Sequence, residues 1–266
     1  MLTFDPEDIY TWEKFETDVG MYIYTVNVFP DTAESNEAAD NLAIKYTSAI
    51  IDFEKYDYEA DKVIQSEFRR LMPLKRTSAH EQVKTKATKY QFPRDLLPTG
   101  FRTHRSKKQL FYLIDRLRFA RERYSDNGTL LQSQFISDIL FQVFFNERGR
   151  GGPRVSPTPN LIPLALICIT FTMIYFHLCK SCNHPQATEK NTMFTANSYW
   201  RDVYDNYLHR RTSETRNIDW DRISEYHTNV IRGLQGRTHN EALDTTNAAE
   251  TELRLYDGIS DNDMID

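Results

Sequence analysis

Four side chains that commonly bind zinc lie close together in the sequence: His177, Cys179, Cys182 and His184. Thiolates and imidazoles form tetrahedral zinc sites, and many such sites begin with the Cys-x-x-Cys spacing found here. A closed site usually draws its second pair of ligands from a distant segment, and the other histidines of the chain show no paired spacing. We therefore favour buried cysteines at the end of a helix over a metal site, and we expect no cofactor.

The remaining residues with catalytic potential form no recognisable motif. The sequence has no glycine-rich phosphate loop, no nucleophile elbow and no His-Glu-x-x-His motif. Asp202, Asp205 and His209 share one face of a predicted helix, but pairing within that helix with Arg201 and Arg210 explains them better than a metal site does. We predict a protein that is not an enzyme, with no catalytic residue and no small-molecule substrate.

A basic block covers residues 69–124, which contain 16 lysines and arginines and 4 acids. Two predicted helices in this block carry basic faces that could contact nucleic-acid phosphates. The residues of this candidate interface are Lys84, Lys86, Lys89, Arg105, Lys107, Lys108 and Arg118.

The alternative for the basic block is that the chain's own acids cover it. Residues 1–68 hold 16 acids and 4 bases, so the two opposite charges match in number and adjoin in sequence. The net charge of −5 also opposes long-range attraction of phosphate. We therefore expect a non-enzymatic protein-interaction domain with a protein partner. A nucleic-acid-binding domain associated with transposons or chromatin is the alternative.

The apolar pattern predicts a mainly α-helical fold, because apolar residues recur at spacings of three and four through most of the chain. We expect an acidic extension over residues 1–29 with a short strand over 20–29, which is rich in aromatic and β-branched residues. A single helical domain is expected over 30–235, and an acidic, disordered tail over 236–266.

Helix boundaries are predicted from proline and from capping residues. One helix should cover residues 58–71 and end before Pro73. Ser78 and Glu81 have the spacing of a capping box, which predicts the start of the next helix. A further amphipathic helix is predicted over 106–124. Its outward-facing arginines are Arg116, Arg118, Arg121 and Arg123.

Residues 161–179 form a run of nineteen residues without a charge. As a helix this run would span about 28 Å, enough to cross a membrane. It also has Pro163 in its first turn, His177 near its end and no aromatic belt at its flanks. A helix that is apolar on every face is equally typical of the centre of a soluble domain. The residues alone leave core helix and single-pass membrane span equally open.

Five segments follow one another along the chain: VFPD (28–31), RRLMPLKRTSAHEQVKTKATKYQF (69–92), ILFQVFF (139–145), IPLALICIT (162–170) and FTANSYWRDVYDNYLHRR (194–211). Their order resembles an uncharacterised helical family that is abundant in mushroom-forming fungi and known only as a domain of unknown function. In that family the apolar helix is part of the soluble domain, so the resemblance implies a core helix here. The family's acidic-tryptophan-glycine ending is replaced by FHLCKSCNHPQ (176–186).

Cysteine usage and the N-terminus indicate an intracellular location, nuclear or cytoplasmic. The three cysteines are odd in number and lie within fifteen residues, which does not fit a disulfide framework. The first residues are acidic, where a signal peptide would carry a basic region and an apolar run.

Overall fold

The predicted all-α fold is confirmed by the computed structural model. It describes residues 6–27, 29–30, 32–50, 58–92, 107–145, 160–185, 199–213 and 215–237, and these contain eight α-helices and no strand. The helices are α1 (Pro6–Thr25), α2 (Thr32–Ile50), α3 (Tyr58–Lys89), α4 (Lys107–Ile114), α5 (Gln134–Leu140), α6 (Leu164–Cys182), α7 (Tyr199–Leu208) and α8 (220–237). The predicted tail lies outside the described residues apart from its first two.

Helix α6 forms the centre of the fold, as predicted. It contacts α1, α3, α4, α5 and α7, and nearly all of its side chains are buried. In the described part of the chain it is the one helix long and apolar enough to cross a membrane, yet 83% of its apolar window is buried inside the fold. This burial favours the core helix over the membrane span through residues 161–179.

The strand predicted over residues 20–29 is wrong, because residues 20–25 belong to α1. Phe15, Val19 and Ile23 recur every fourth residue and are buried, so α1 packs an apolar stripe onto the core. The adjacent Tyr24 is also buried, and its hydroxyl donates to the carbonyl of Lys75 at 2.8 Å. Packing therefore overrides the strand propensity of these residues, and the core begins earlier than residue 30, the predicted start of the helical domain.

The helix end predicted before Pro73 is also wrong, since α3 continues through this proline. An internal proline removes one backbone hydrogen bond and costs about 3 kcal/mol. Buried apolar side chains on both sides of it offset this cost by packing on the core. They are Phe68, Leu71, Ala79 and Val83. Ser78 consequently lies inside α3 and does not begin a helix.

Helix α4 ends at Ile114, well before the end predicted at residue 124. The chain continues in two short 3-10 turns, Asp115–Ala120 and Glu122–Tyr124. Gly128 closes the following turn, where an added Cβ would lie 2.1 Å from the carbonyl oxygen of Glu122. The first of these turns brings Arg118 back to the carbonyl of Tyr112 in α4.

Candidate interaction cleft

An open cleft lies between α4, the turn that follows it, α6 and α7. Its volume is about 740 Å³, within the range of ligand-binding pockets. Four buried side chains line it, Ile114 from α4, Tyr175 from α6, and Val203 and Tyr207 from α7. The exposed part includes Phe111, whose relative exposure is 41%, and the half-buried Tyr199. The cleft is therefore rich in aromatic surface.

Arg118 forms the wall at one end of the cleft. Its guanidinium donates to both carboxylate oxygens of Asp126, at 2.5 and 3.0 Å, to Asp115 at 2.9 Å and to the carbonyl of Tyr112 at 3.1 Å. It also lies over the Tyr112 ring, 4.3 Å from the centroid. The hydrogen bond from Arg118 lowers the pKa of Asp126. These contacts hold the Arg118 side chain in place in the wall of the cleft.

The prediction that Arg118 faces outward is therefore wrong. Its side chain is only 12% exposed, whereas that of Arg116 is 67% exposed. The reason is the backbone of the turn: Arg116 has φ 51° and Leu117 has φ 56°, both in the left-handed region. Non-glycine residues adopt this region at a cost of about 1–3 kcal/mol, and such residues cluster at functional sites. Here they turn Arg118 back against α4.

The other end of the cleft is formed where α6 terminates. Asn183 caps α6 in the left-handed conformation, and the amide of His184 donates to the carbonyl of Cys179 at 2.9 Å. This cap places the His184 ring against Phe111, with centroids 5.4 Å apart. The contact joins the end of α6 to α4 and fixes this end of the cleft.

A stacked histidine pair lies beside the end of α6. The rings of His80 and His177 are 4.5 Å apart at an interplanar angle of 26°. Burial lowers the pKa of His80 to about 4 and that of His177 to about 3, so both rings are neutral at pH 7. The positive charges of Lys84 and Lys180 contribute to both shifts.

The four candidate metal ligands do not form a common site. His177 stacks on His80, while His184 packs on Phe111. Cys179 and Cys182 are buried, and burial raises the pKa of both thiols. Across the residues that the structure describes, no group of three or more His, Cys, Asp or Glu side chains is arranged to hold a metal ion.

The candidate nucleic-acid-binding residues are spread over several surfaces. Lys84 and Lys86 are two positions apart on α3, which places them about 200° apart around the helix axis. Lys89 lies on the side of Lys86. Lys107 and Lys108 are exposed at the start of α4, and Arg118 is in the cleft wall. Arg105 lies outside the described residues.

The acidic helices α1 and α2 form polar contacts with α3 at Gln65 and Lys75. Glu16 of α1 pairs with Lys75 at 3.2 Å. Asp40 of α2 accepts a hydrogen bond from Gln65 at 2.8 Å. Farther along α3, Lys84 is 52% exposed and pairs with Glu81 of its own helix at 2.8 Å. The acids of residues 1–68 therefore contact only part of the basic block 69–124.

A buried serine-histidine pair has no signal in the sequence, because its members are 90 positions apart. Nδ1 of His227 lies 2.8 Å from the Ser137 hydroxyl, and Nε2 lies 2.7 Å from the carbonyl oxygen of Leu131. A carbonyl only accepts, so Nε2 carries the proton and Nδ1 accepts from Ser137. Burial lowers the pKa of His227 to about 4. Both side chains are fully buried, and the pair ties α5 to α8.

Asp205 of α7 forms an ion pair within its own helix, as the sequence predicts. Its side chain lies 3.5 Å from Arg201, one turn earlier on the same helix. Asp202 and His209 are exposed.

Comparison with family models identifies the domain. Residues 17–233 match a domain of unknown function, DUF6532. The chain belongs to this family. The matched range runs from α1 into α8 and contains every element of the cleft. No curated protein and no solved structure matches the chain. The family predicted from the order of sequence segments is confirmed, while its abundance in mushroom-forming fungi stays a prediction.

Proposed function

We propose that this DUF6532 domain is a non-enzymatic interaction domain that binds a segment of another protein in the cleft. The observation that carries the proposal is the combination of an open cleft of about 740 Å³ with exposed aromatic surface at Phe111. Aromatic residues and arginine are enriched at protein interfaces and at the positions that contribute most to binding.

The depth of the cleft fits a side chain of a partner. Tyr175 and Tyr207 lie almost completely buried in its lining, while Tyr112 and Tyr199 remain half-buried. A large apolar side chain that enters between them removes apolar surface on both molecules from water, worth about 25 cal/mol per Å².

The charged groups of the cleft support binding over catalysis. Within the lining, Arg118 is held by Asp115. Asp126, which is outside the lining, pairs with Arg118 and with Arg116, the latter at 3.0 Å. A general base needs a free acceptor within reach of a substrate, whereas these carboxylates already accept from arginine. The buried pair of His227 and Ser137 is not part of the cleft lining.

Selection of displayed random peptides on the immobilised full chain tests this proposal. We expect enriched peptides whose binding is at least about tenfold weaker to Phe111→Ala than to the unchanged chain. Leu161→Ala is the matched control, because Leu161 is an apolar side chain with 49% exposure outside the cleft. Peptides that bind both variants equally, or no enrichment at all, would contradict the proposal.

Nucleic-acid binding is the second candidate, favoured by one observation. Lys84, Lys107, Lys108 and Lys180 are all exposed, on three helices that meet near the end of α6. Fluorescence anisotropy with labelled single-stranded and duplex DNA tests it. Phosphate contacts predict affinity that falls steeply between about 50 mM and about 200 mM salt and that charge reversal of these lysines abolishes for every sequence.

A further inference from the structure

The stacked pair of His80 and His177 joins α3 to α6 near the C-terminal ends of both helices. His80 lies nine residues before the end of α3, and His177 lies five residues before the end of α6. The Phe176 ring packs against both imidazoles, with its centroid 5.2 Å from that of His80 and 5.1 Å from that of His177. The pair therefore connects two helix ends, and helix ends open more readily than helix centres.

The surroundings of the pair are unfavourable to a positive charge. The His177 residue is only 7% exposed, and among the described residues its Nε2 atom has no hydrogen-bond partner. Both nitrogens of an imidazolium are donors, so protonation would leave a buried charged donor without an acceptor. The second imidazole, 4.5 Å away, titrates in the same range and cannot share that charge.

The charged groups that face the pair belong to the same two helices. Lys84 of α3 and Lys180 of α6 act on both rings and oppose their protonation, and Lys180 lies over the Phe176 ring. Glu81 lies 3.9 Å from Nδ1 of His80, but it is 55% exposed and already accepts from Lys84 at 2.8 Å. This carboxylate therefore compensates little of a charge on the rings.

The packed arrangement of the two helices consequently binds protons more weakly than an opened one. Release of a ring into water returns its pKa from about 4 for His80, or about 3 for His177, to the ordinary value near 6.5. The packed arrangement is thus fully favoured above about pH 6.5 and loses this advantage as the pH decreases toward 4. Between pH 7 and pH 5 the equilibrium constant for opening increases about twentyfold for each ring released.

From this arrangement we propose that the stacked pair is an acid-sensitive contact, which releases the C-terminal half of α3 (74–89) from the end of α6. Pro73 lies two helical turns before His80 and removes one backbone hydrogen bond of α3, so the half that follows it can move separately. Two phenylalanines would join the helices without a buried polar atom. The histidines add the response to pH, and this inference does not depend on binding in the cleft.

Hydrogen exchange of the full chain, measured by mass spectrometry at pH 7 and pH 5 and corrected for the intrinsic effect of pH on exchange, tests the proposal. Amides of residues 77–86 and 174–182 should exchange at least about twentyfold faster at pH 5. Helix α1 contains no histidine and should change much less. An equal change in α1 would indicate global unfolding, and an unchanged rate in the two segments would show that the contact does not respond to acid. Either result would overturn the inference.

A double variant assigns the response to the two rings. His80→Phe with His177→Phe keeps two stacked aromatic side chains and removes both titrating groups, so the acid-induced increase in the two segments should disappear. His209→Phe is the matched control, because His209 is exposed, and it should keep the full increase. A double variant that responds to acid as the unchanged chain does would overturn the inference.

A single substitution decides the question if the double variant lacks the circular dichroism of the unchanged helical fold. His80→Gln removes one titrating ring at a position whose side chain is 16% exposed. The acid-induced increase in residues 77–86 and 174–182 should then be about twentyfold smaller than in the unchanged chain. An increase equal to that of the unchanged chain would show that His80 does not take part.

Discussion

The Ser137 hydroxyl lies 2.8 Å from Nδ1 of His227 and joins α5 to α8 inside the protein. Replacing His227 by alanine removes both ring hydrogen bonds, leaves the carbonyl of Leu131 unpaired and opens a cavity. We expect a loss of about 2–4 kcal/mol in the free energy of unfolding. Urea denaturation measures it, with His209→Ala as the control because His209 is exposed. A loss no larger than that of the control would contradict the role of the pair.

The pH dependence of stability follows from the same side chain. The folded-state pKa of His227, about 4, lies below its ordinary value near 6.5, so unfolding is accompanied by proton uptake between these values. Stability is complete above about pH 6.5 and falls as the pH decreases toward 4, by roughly 3 kcal/mol for this residue. His80 and His177 act in the same direction.

Urea denaturation at a series of pH values measures this dependence. His227→Gln keeps much of the side-chain volume and removes the titrating group, so its stability should decline less steeply below pH 6.5. A variant that declines as steeply as the unchanged chain would show that His227 is not responsible.

Pro73→Ala should stabilise the protein by about 1–2 kcal/mol. Pro73 is exposed inside the continuous helix α3, so alanine restores the backbone hydrogen bond to Arg69 without disturbing the core. Thermal denaturation measures the change, and Leu74→Ala, at another exposed position of α3, is the control. Destabilisation would indicate that the helix ends at Pro73, as the sequence alone predicts.

The elements with strong local signals could be predicted from the sequence. The uncharged run at 161–179 predicts the long apolar helix α6, and the resemblance to the family indicates that this helix belongs to the core. The intrahelical pair of Arg201 and Asp205 follows from their spacing of four. Both features depend on residues close in sequence.

The features that could not be predicted depend on contacts between distant segments. The apolar residues of α1 suit a strand or a helix equally well, and only the core decides between them. The cleft joins Phe111 of α4 to Tyr199 of α7, which no local pattern connects. Arg116 and Leu117 adopt the left-handed backbone conformation although neither is glycine, the residue that usually marks it in a sequence. The inward position of Arg118 could therefore not be predicted from the sequence.

Arg118→Ala should destabilise the protein by about 1–3 kcal/mol and weaken peptide binding. The substitution removes the hydrogen bonds to Asp126, Asp115 and Tyr112 and the stack on the Tyr112 ring. The pKa of Asp126 should rise toward its ordinary value, which an NMR titration of the carboxyl group detects.

Arg116→Ala is the matched control for Arg118→Ala, since Arg116 has one ion pair and a 67% exposed side chain. Its effect on stability should be smaller than that of Arg118→Ala. Equal effects of the two substitutions would show that the hydrogen bonds of Arg118 do not stabilise the cleft wall.

The Kd of one selected peptide, measured by calorimetry for the full chain and its variants, tests the cleft most directly. We expect Phe111→Ala and Tyr199→Ala each to weaken binding at least about tenfold, while circular dichroism shows an intact helical fold. Leu161→Ala should leave the Kd unchanged, because Leu161 is exposed outside the cleft. A Kd that is the same for the unchanged chain, the two cleft variants and the control would contradict the account.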